Sequence, residues 1–291
     1  MKPKELLTIS TQALENTKNR LLVLDEKSGF MLIKSNSKTE LSATFYEPVI
    51  CLILQGAKEV VIGERNIIFG QGESLIVSHG VPVVSKITNA TPQNPYIALI
   101  LRLNLNIVRG LYEEFAESAL SMQNSKSIVA DKTPPELIES LYRLLKTSQN
   151  KLDSIVLYSQ ILREVHYRIL QAPYGGMLRD LLKVDSNASN ISKAISIIRS
   201  QFNKILSIPD IAKSVGMSTS SFHQHFKSIT ESTPLQYQKN LRLLEAKRLL
   251  TSEGDSVTEA ALKVGYESPN QFSREYTRKF SINPSMEMKI L

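Results

Sequence analysis

Between residues 20 and 105, short runs rich in Val, Ile, Leu and Phe recur about every eight to twelve residues, separated by Gly, Pro, Asn or Asp. The pattern predicts strands over 21–24, 30–34, 41–45, 50–55, 59–62, 66–69, 74–78, 83–88 and 96–103. A turn at 63–65 and Gly56, Gly70 and Gly72 punctuate the middle. Many short strands joined this way favour a β-sandwich or jelly-roll barrel. Residues 5–19 precede it as a short helix or a loose arm.

From 108 to 171 the period becomes helical. Leu111, Phe115 and Ala119 mark one helix, and 136–149 places Leu137, Leu141, Leu144 and Leu145 on one side of a second. Over 154–170, Ile155, Tyr158, Leu162, Val165 and Ile169 fall in alternating steps of three and four, the seam of a paired helix. Its partner is the barrel, the preceding helix or another subunit. The polar stretch D-S-N-A-S-N at 185–190 reads as a hinge. Beyond it, Ser192 is expected to cap a helix over 193–203. Pro234, a Leu/Ala stripe and the lack of an internal breaker predict one continuous helix over 234–251.

On either side of that helix the chain repeats itself. I-P-D-I-A-K-S-V-G-M-S-T-S-S-F-H-Q-H-F begins at Ile208, and V-T-E-A-A-L-K-V-G-Y-E-S-P-N-Q-F-S-R-E-Y begins at Val257. Ala212, Val215 and Gly216 answer to Ala261, Val264 and Gly265; Phe222 and Phe226 answer to Phe272 and Tyr276. Each copy reads as a helix-turn-helix. The small Ala lets the second helix cross closely, the Gly supplies the turn, and the aromatic pair anchors the second helix on the core. The opposite face is polar both times: Ser220, Ser221, His223, Gln224 and Lys227, then Asn270, Gln271, Ser273, Arg274 and Arg278. Such side chains bond to base edges and phosphates, whereas a purely structural helical repeat has no need of them.

These motifs, with F-K at 226–227, T-P-L-Q-Y at 233–237 and R-L-L-E-A-K-R-L-L at 242–250, resemble the DNA-binding domain of AraC/XylS-family bacterial transcription regulators. Around Y-E-P-V-I-C-L-I-L-Q-G-A-K and N-P-Y-I-A-L the chain is similar to the cupin-like sensor domain of the same family. The resemblance implies an α+β protein. An N-terminal cupin-like β-sandwich or barrel with trailing helices, 1–185, would sense a small-molecule effector and mediate homodimerisation. An all-α domain of two helix-turn-helix units joined by a long helix, 191–291, would bind double-stranded promoter DNA. RNA polymerase is a further partner for such a regulator, activator or repressor. The resemblance puts base contacts on Ser220, His223 and Gln224, with Thr219 and Lys227 nearer phosphate. In the second unit it puts them on Asn270, Gln271 and Arg274, with Ser273 and Arg278 in support. Arg242 is expected to bond within the domain. Tyr46, Cys51, Ile53, Gln55 and His79 are the candidate effector-pocket residues. The family usually has Gly after each reading helix. Here Glu231 and Ser281 stand there, so those turns are expected to be less stable or differently shaped.

Charge and the scarce reactive residues narrow the classes. Of the net charge of +7, +5 lies within 191–291, which fits a polyanion partner there. One Cys suits a reducing cytoplasm, and no signal peptide or membrane span is evident. Cys51 lies on a strand with Ile53 and Gln55 and reads as buried, with no basic neighbour in sequence to activate it. The barrel segment holds a single His, His79, whereas a catalytic metal cupin needs several with a carboxylate. No metal or other cofactor is therefore expected, and no enzyme. The alternatives are a cupin-type enzyme tethered to a DNA-binding domain and an architectural protein that binds DNA without sequence preference.

Overall fold

The computed structural model describes residues 2–15, 20–115 and 126–287. Helix α1 (Lys2–Glu15) precedes nine strands. They are β1 (Leu21–Asp25), β2 (Phe30–Ser35), β3 (Ser42–Tyr46), β4 (Val49–Gln55), β5 (Ala57–Ile62), β6 (Arg65–Gly70), β7 (Glu73–Val77), β8 (Val81–Asn89) and β9 (Tyr96–Arg102). All nine lie where the apolar runs predict strands. A tenth, β10 (Ile128–Lys132), falls in the stretch read as wholly helical. It is five residues long and pairs antiparallel with β7, a partner some fifty residues away that local periodicity does not reveal.

The strands form two antiparallel sheets, β1-β2-β9-β4-β7-β10 and β3-β8-β5-β6. Strand β4 shows why they stack. Val49, Cys51 and Ile53 face the second sheet, while Ile50, Leu52 and Leu54 face a layer of helices on the outside. With both faces covered, the strand is apolar at nearly every position rather than at alternate ones.

The outer layer comprises α1, α2 (Leu105–Phe115), α3 (Pro135–Ser148), α4 (Lys151–Val156), α5 (Tyr158–Gln171) and α6 (Gly176–Leu182). Ala119, expected on the second of these, lies outside the described residues. The seam read over 154–170 is broken at Leu157. Leu162, Val165 and Ile169 join the core against α3, but Ile155 on α4 is 71% exposed.

Helix α7 (Asn187–Ser200) starts inside the stretch read as a hinge, capped by Ser186 rather than Ser192. Then come α8 (Ile208–Ser214), α9 (Thr219–Thr230), α10 (Pro234–Arg248), α11 (Val257–Lys263), α12 (Pro269–Phe280) and α13 (Pro284–Glu287). The long connecting helix is straight α only to Arg248; over Leu249–Glu253 it widens into a π turn closed by Gly254 in the left-handed conformation.

Candidate nucleic-acid interface and sensor core

Both helix-turn-helix units are built by the same local rules. In the first, the Ser207 and Ser218 side chains cap α8 and α9, each accepting a backbone N–H. In the second, Ser256 and Glu259 form a reciprocal capping box on α11, and Ser268 caps α12. Gly216 and Gly265 make the turns at φ +71° and +88°. A Cβ on Gly265 would meet the Asn203 carbonyl at 2.1 Å, so backbone proximity reinforces the choice of glycine. Ala212 and Ala261 are fully buried at the crossings.

The aromatic anchors lie in the core as expected. Phe222 and Phe226 pack at 5.4 Å, Phe226 meets Tyr237 of α10 at 5.4 Å, and Phe272 meets Tyr276 at 5.4 Å. Burying one face of each second helix leaves the other in solvent. Thr219, Ser220, His223, Gln224 and Lys227 are exposed on α9; Asn270, Gln271, Arg274 and Arg278 are exposed on α12, with Ser273 half-buried. The structure thus brings each predicted set together on one helix face.

Helix α10 holds the two units in fixed relation. The Arg242 guanidinium donates to the carbonyls of Phe202 (2.7 Å), Gly265 (2.8 Å) and Lys204 (2.9 Å). Gln238 donates to two of the same carbonyls, at 2.8 and 2.7 Å. One side chain on the rod therefore grips both the loop entering the first unit and the turn of the second. On α12, Glu275 accepts from Lys239 of α10 (3.1 Å), Tyr266 (2.8 Å) and Gln271 (3.3 Å). These bonds hold its carboxyl below the usual range despite burial, and they orient Gln271.

Glu231 and Ser281 end α9 and α12 at φ 55° and 58°. The turns keep the left-handed shape glycine would give, with about 1 kcal/mol of strain each, so the expected change of shape does not occur. Glu231 also has a use. Its carboxylate pairs with Arg65 at the start of β6 at 3.1 Å, and its carbonyl sits where a Cβ on Gly63 of the β5–β6 turn would come within 2.6 Å.

Further contacts join α7 and α10 to the sandwich. Tyr237 donates its hydroxyl to the Gly80 carbonyl (2.6 Å), and Arg199 makes a two-point contact with Glu47 while stacking 4.7 Å from the Phe45 ring. His79 belongs to this junction and not to the sandwich interior. Its Nε2 donates to the Ala188 carbonyl of α7 at 3.0 Å, leaving Nδ1 to accept from Ser78 at 2.8 Å. Burial lowers its pKa to about 4, so the ring is neutral.

Inside the sandwich, Cys51 and Ile53 lie on the inner face, and Gln55, after a bulge, donates to the Pro95 carbonyl at 2.8 Å. Tyr46 reaches Ser85 (3.4 Å), and the Lys58 ammonium lies 5.3 Å from the Tyr46 ring centre. Lys58 and Tyr96 are the residues the sequence reading missed. Burial pushes the Cys51 thiol up, against the pull of Lys58 and a hydrogen bond with Tyr96, so Cys51 does have a basic neighbour, in space. Burial opposes the Lys58 charge, but Tyr46 and Cys51 outweigh it and its pKa stands above the ordinary lysine value. The signal was available: Lys58, Val60 and Ile62 alternate on one face of β5, which puts a cation on the apolar side. Among the described residues no group of three or more His, Cys, Asp or Glu is placed to hold a metal ion, and no helix is long and apolar enough to cross a membrane.

Comparison with known proteins agrees with this arrangement. Residues 27–177 match a family model described as the AraC-type transcriptional regulator N-terminus, and residues 211–289 match one for a helix-turn-helix domain. The lactose operon transcription activator of Staphylococcus xylosus is 22% identical over 244 residues, 83% of each chain. The transcriptional activator RhaS of Escherichia fergusonii is 32% identical over 105 residues, 36% of this chain and 38% of that one. A crystal structure of ToxT from Vibrio cholerae shares the fold, with a TM-score of 0.58 at 12% identity over 90% of this chain and 98% of its own. Another, described as bound to an unsaturated fatty acid, gives a TM-score of 0.55 at 10% identity over 90% of this chain and 95% of its own.

Proposed function

We infer, because the chain belongs to the AraC-type transcriptional regulators, that its two helix-turn-helix units read promoter DNA from one face and that a small effector in the sandwich tunes them. The observation that carries the reading is the pairing of two exposed polar helix faces on a rod pinned by Arg242. Arg274 reads guanine with two bonds, and Asn270, Gln271 and Gln224 read adenine edges. His223 and Ser220 complete the base contacts, while Thr219, Lys227, Ser273 and Arg278 serve phosphates. The two helices enter successive major grooves, about 34 Å apart.

The effector lies against Tyr46, Cys51, Ile53, Lys58 and Tyr96, and the fatty acid held by a ToxT structure supports small-molecule binding by this fold. Effector control requires different affinity for two states, and the contacts of Glu231, Tyr237 and Arg199 with the sandwich supply the element to be shifted. The protein acts in the cytoplasm and has no catalytic role. It works as a homodimer through the exposed Leu152, Ile155 and Val156 of α4, and it contacts RNA polymerase at its promoters.

The test is selection of duplexes from random sequence, followed by Arg274→Ala. Affinity for the selected site should fall by about 1–3 kcal/mol and preference should relax at one base pair. Equal affinity for every duplex at fixed salt would instead mark an architectural binder.

A further inference from the structure

A cavity lies outside the sandwich, between its outer surface and the second helix-turn-helix unit. It has a volume of about 270 Å³. Its floor is apolar: Val61 of β5 and Val84 of β8 are register partners whose side chains point away from the sandwich core, flanked by Pro82 and Leu243. Its far wall is cationic, with Lys239 on α10 and Arg278 and Lys279 on α12.

The three cations are not equally occupied. Lys239 is neutralised by Glu275, the one carboxylate lining the cavity. Lys279 is half-buried, and among the described residues its ammonium donates only to the Asn240 amide oxygen, at 2.9 Å. Burial lowers its pKa, and among the described residues no carboxylate pairs with it. Arg278 has no ion pair among the described residues. A desolvated ammonium without a counter-charge, beside a free guanidinium and over paired valines, is complementary to an anion with an apolar body. The volume equals that of about nine liquid waters, room for a ligand of roughly ten heavy atoms.

We propose that this inter-domain cleft binds a small amphipathic carboxylate, its head on Lys279 and Arg278 and its body on Val61 and Val84, and that occupancy opposes DNA binding. Opposition follows from placement. Arg278 belongs to the DNA-facing set of α12, so an anion held there competes with phosphate and ties the reading helix to the sandwich. The proposal goes beyond the effector site around Lys58 and does not depend on it. Its link to DNA rests on the α12 reading above.

The experiment uses the full chain, calorimetry with octanoate and 3-phenylpropanoate, and octan-1-ol and inorganic phosphate as comparison probes. Both carboxylates should bind. Lys279→Met and, independently, the cavity-filling Val84→Phe should each weaken binding at least tenfold, with the melting transition retained to show folding. Saturating octanoate should weaken binding to the selected duplex about fivefold or more, and the duplex should weaken octanoate binding by the same factor. Octanol or phosphate binding as tightly as octanoate would overturn the proposal, as would binding lost in Lys58→Met but kept in Lys279→Met. Octanoate binding without effect on DNA would refute the opposition. If no carboxylate binds but the selected duplex does, the cleft proposal fails and the regulator reading stands.

Discussion

Replacing Arg242 with Ala tests whether one side chain sets the relation between the two reading helices. The substitution removes three charge-assisted hydrogen bonds. Gln238 still serves the Phe202 and Lys204 carbonyls, so the Gly265 carbonyl is the one deprived of its side-chain partner. Each hydrogen bond to a charged group contributes about 1.5–3 kcal/mol when buried, and Arg242 is only partly so. A net loss of about 2–3 kcal/mol follows, roughly 5–10 °C in melting temperature. The effect on DNA should be selective. Binding to a duplex with both half-sites should weaken by more than tenfold, while binding to a duplex with one half-site changes by less than about threefold. Lysine cannot span three carbonyls, so Arg242→Lys should recover little of the loss. Fluorescence anisotropy on the two duplexes, beside a thermal melt, reads both quantities. Equal loss on one-site and two-site duplexes, or full rescue by lysine, would refute the idea that Arg242 fixes the spacing.

Three further outcomes are expected. His79 has a folded pKa of about 4 against about 6.5 unfolded, so the unfolded chain binds the extra proton, and stability falls as pH drops from about 6.5 toward 4. The full effect is about 3 kcal/mol, and His79→Gln should flatten the slope of urea midpoint against pH. Glu231→Gly should be more stable than Glu231→Ala by about 1 kcal/mol, since both lose Arg65 but only glycine relieves the left-handed strain; equal denaturation midpoints would contradict this. Cys51, buried and with its thiol pushed up, should react with a thiol reagent only as fast as the sandwich opens; labelling as rapid as in the denatured chain would show a reactive, exposed thiol.

Much of this protein is set locally and can be read without coordinates. Strand positions follow from apolar runs bounded by turn residues. Both reading helices follow from Ser caps, the Gly turns and aromatic pairs four apart. Each of these devices acts over a few residues, so the chain carries it wherever it folds. The tertiary structure decided what depends on distant neighbours. Strand β10 exists because β7 offers it a free edge. The seam over 154–170 breaks at Leu157, and Ile155 faces solvent because no element covers α4 there. Lys58 meets Cys51 across two sheets, His79 meets the start of α7, and Glu231 meets Arg65; each pairing is fixed by how sheets and helices stack and not by sequence spacing. The sequence by itself determined two DNA-reading devices and a sandwich. Only packing decided which charges face one another between them, because electrostatic partnership depends on distance in space and local propensity does not.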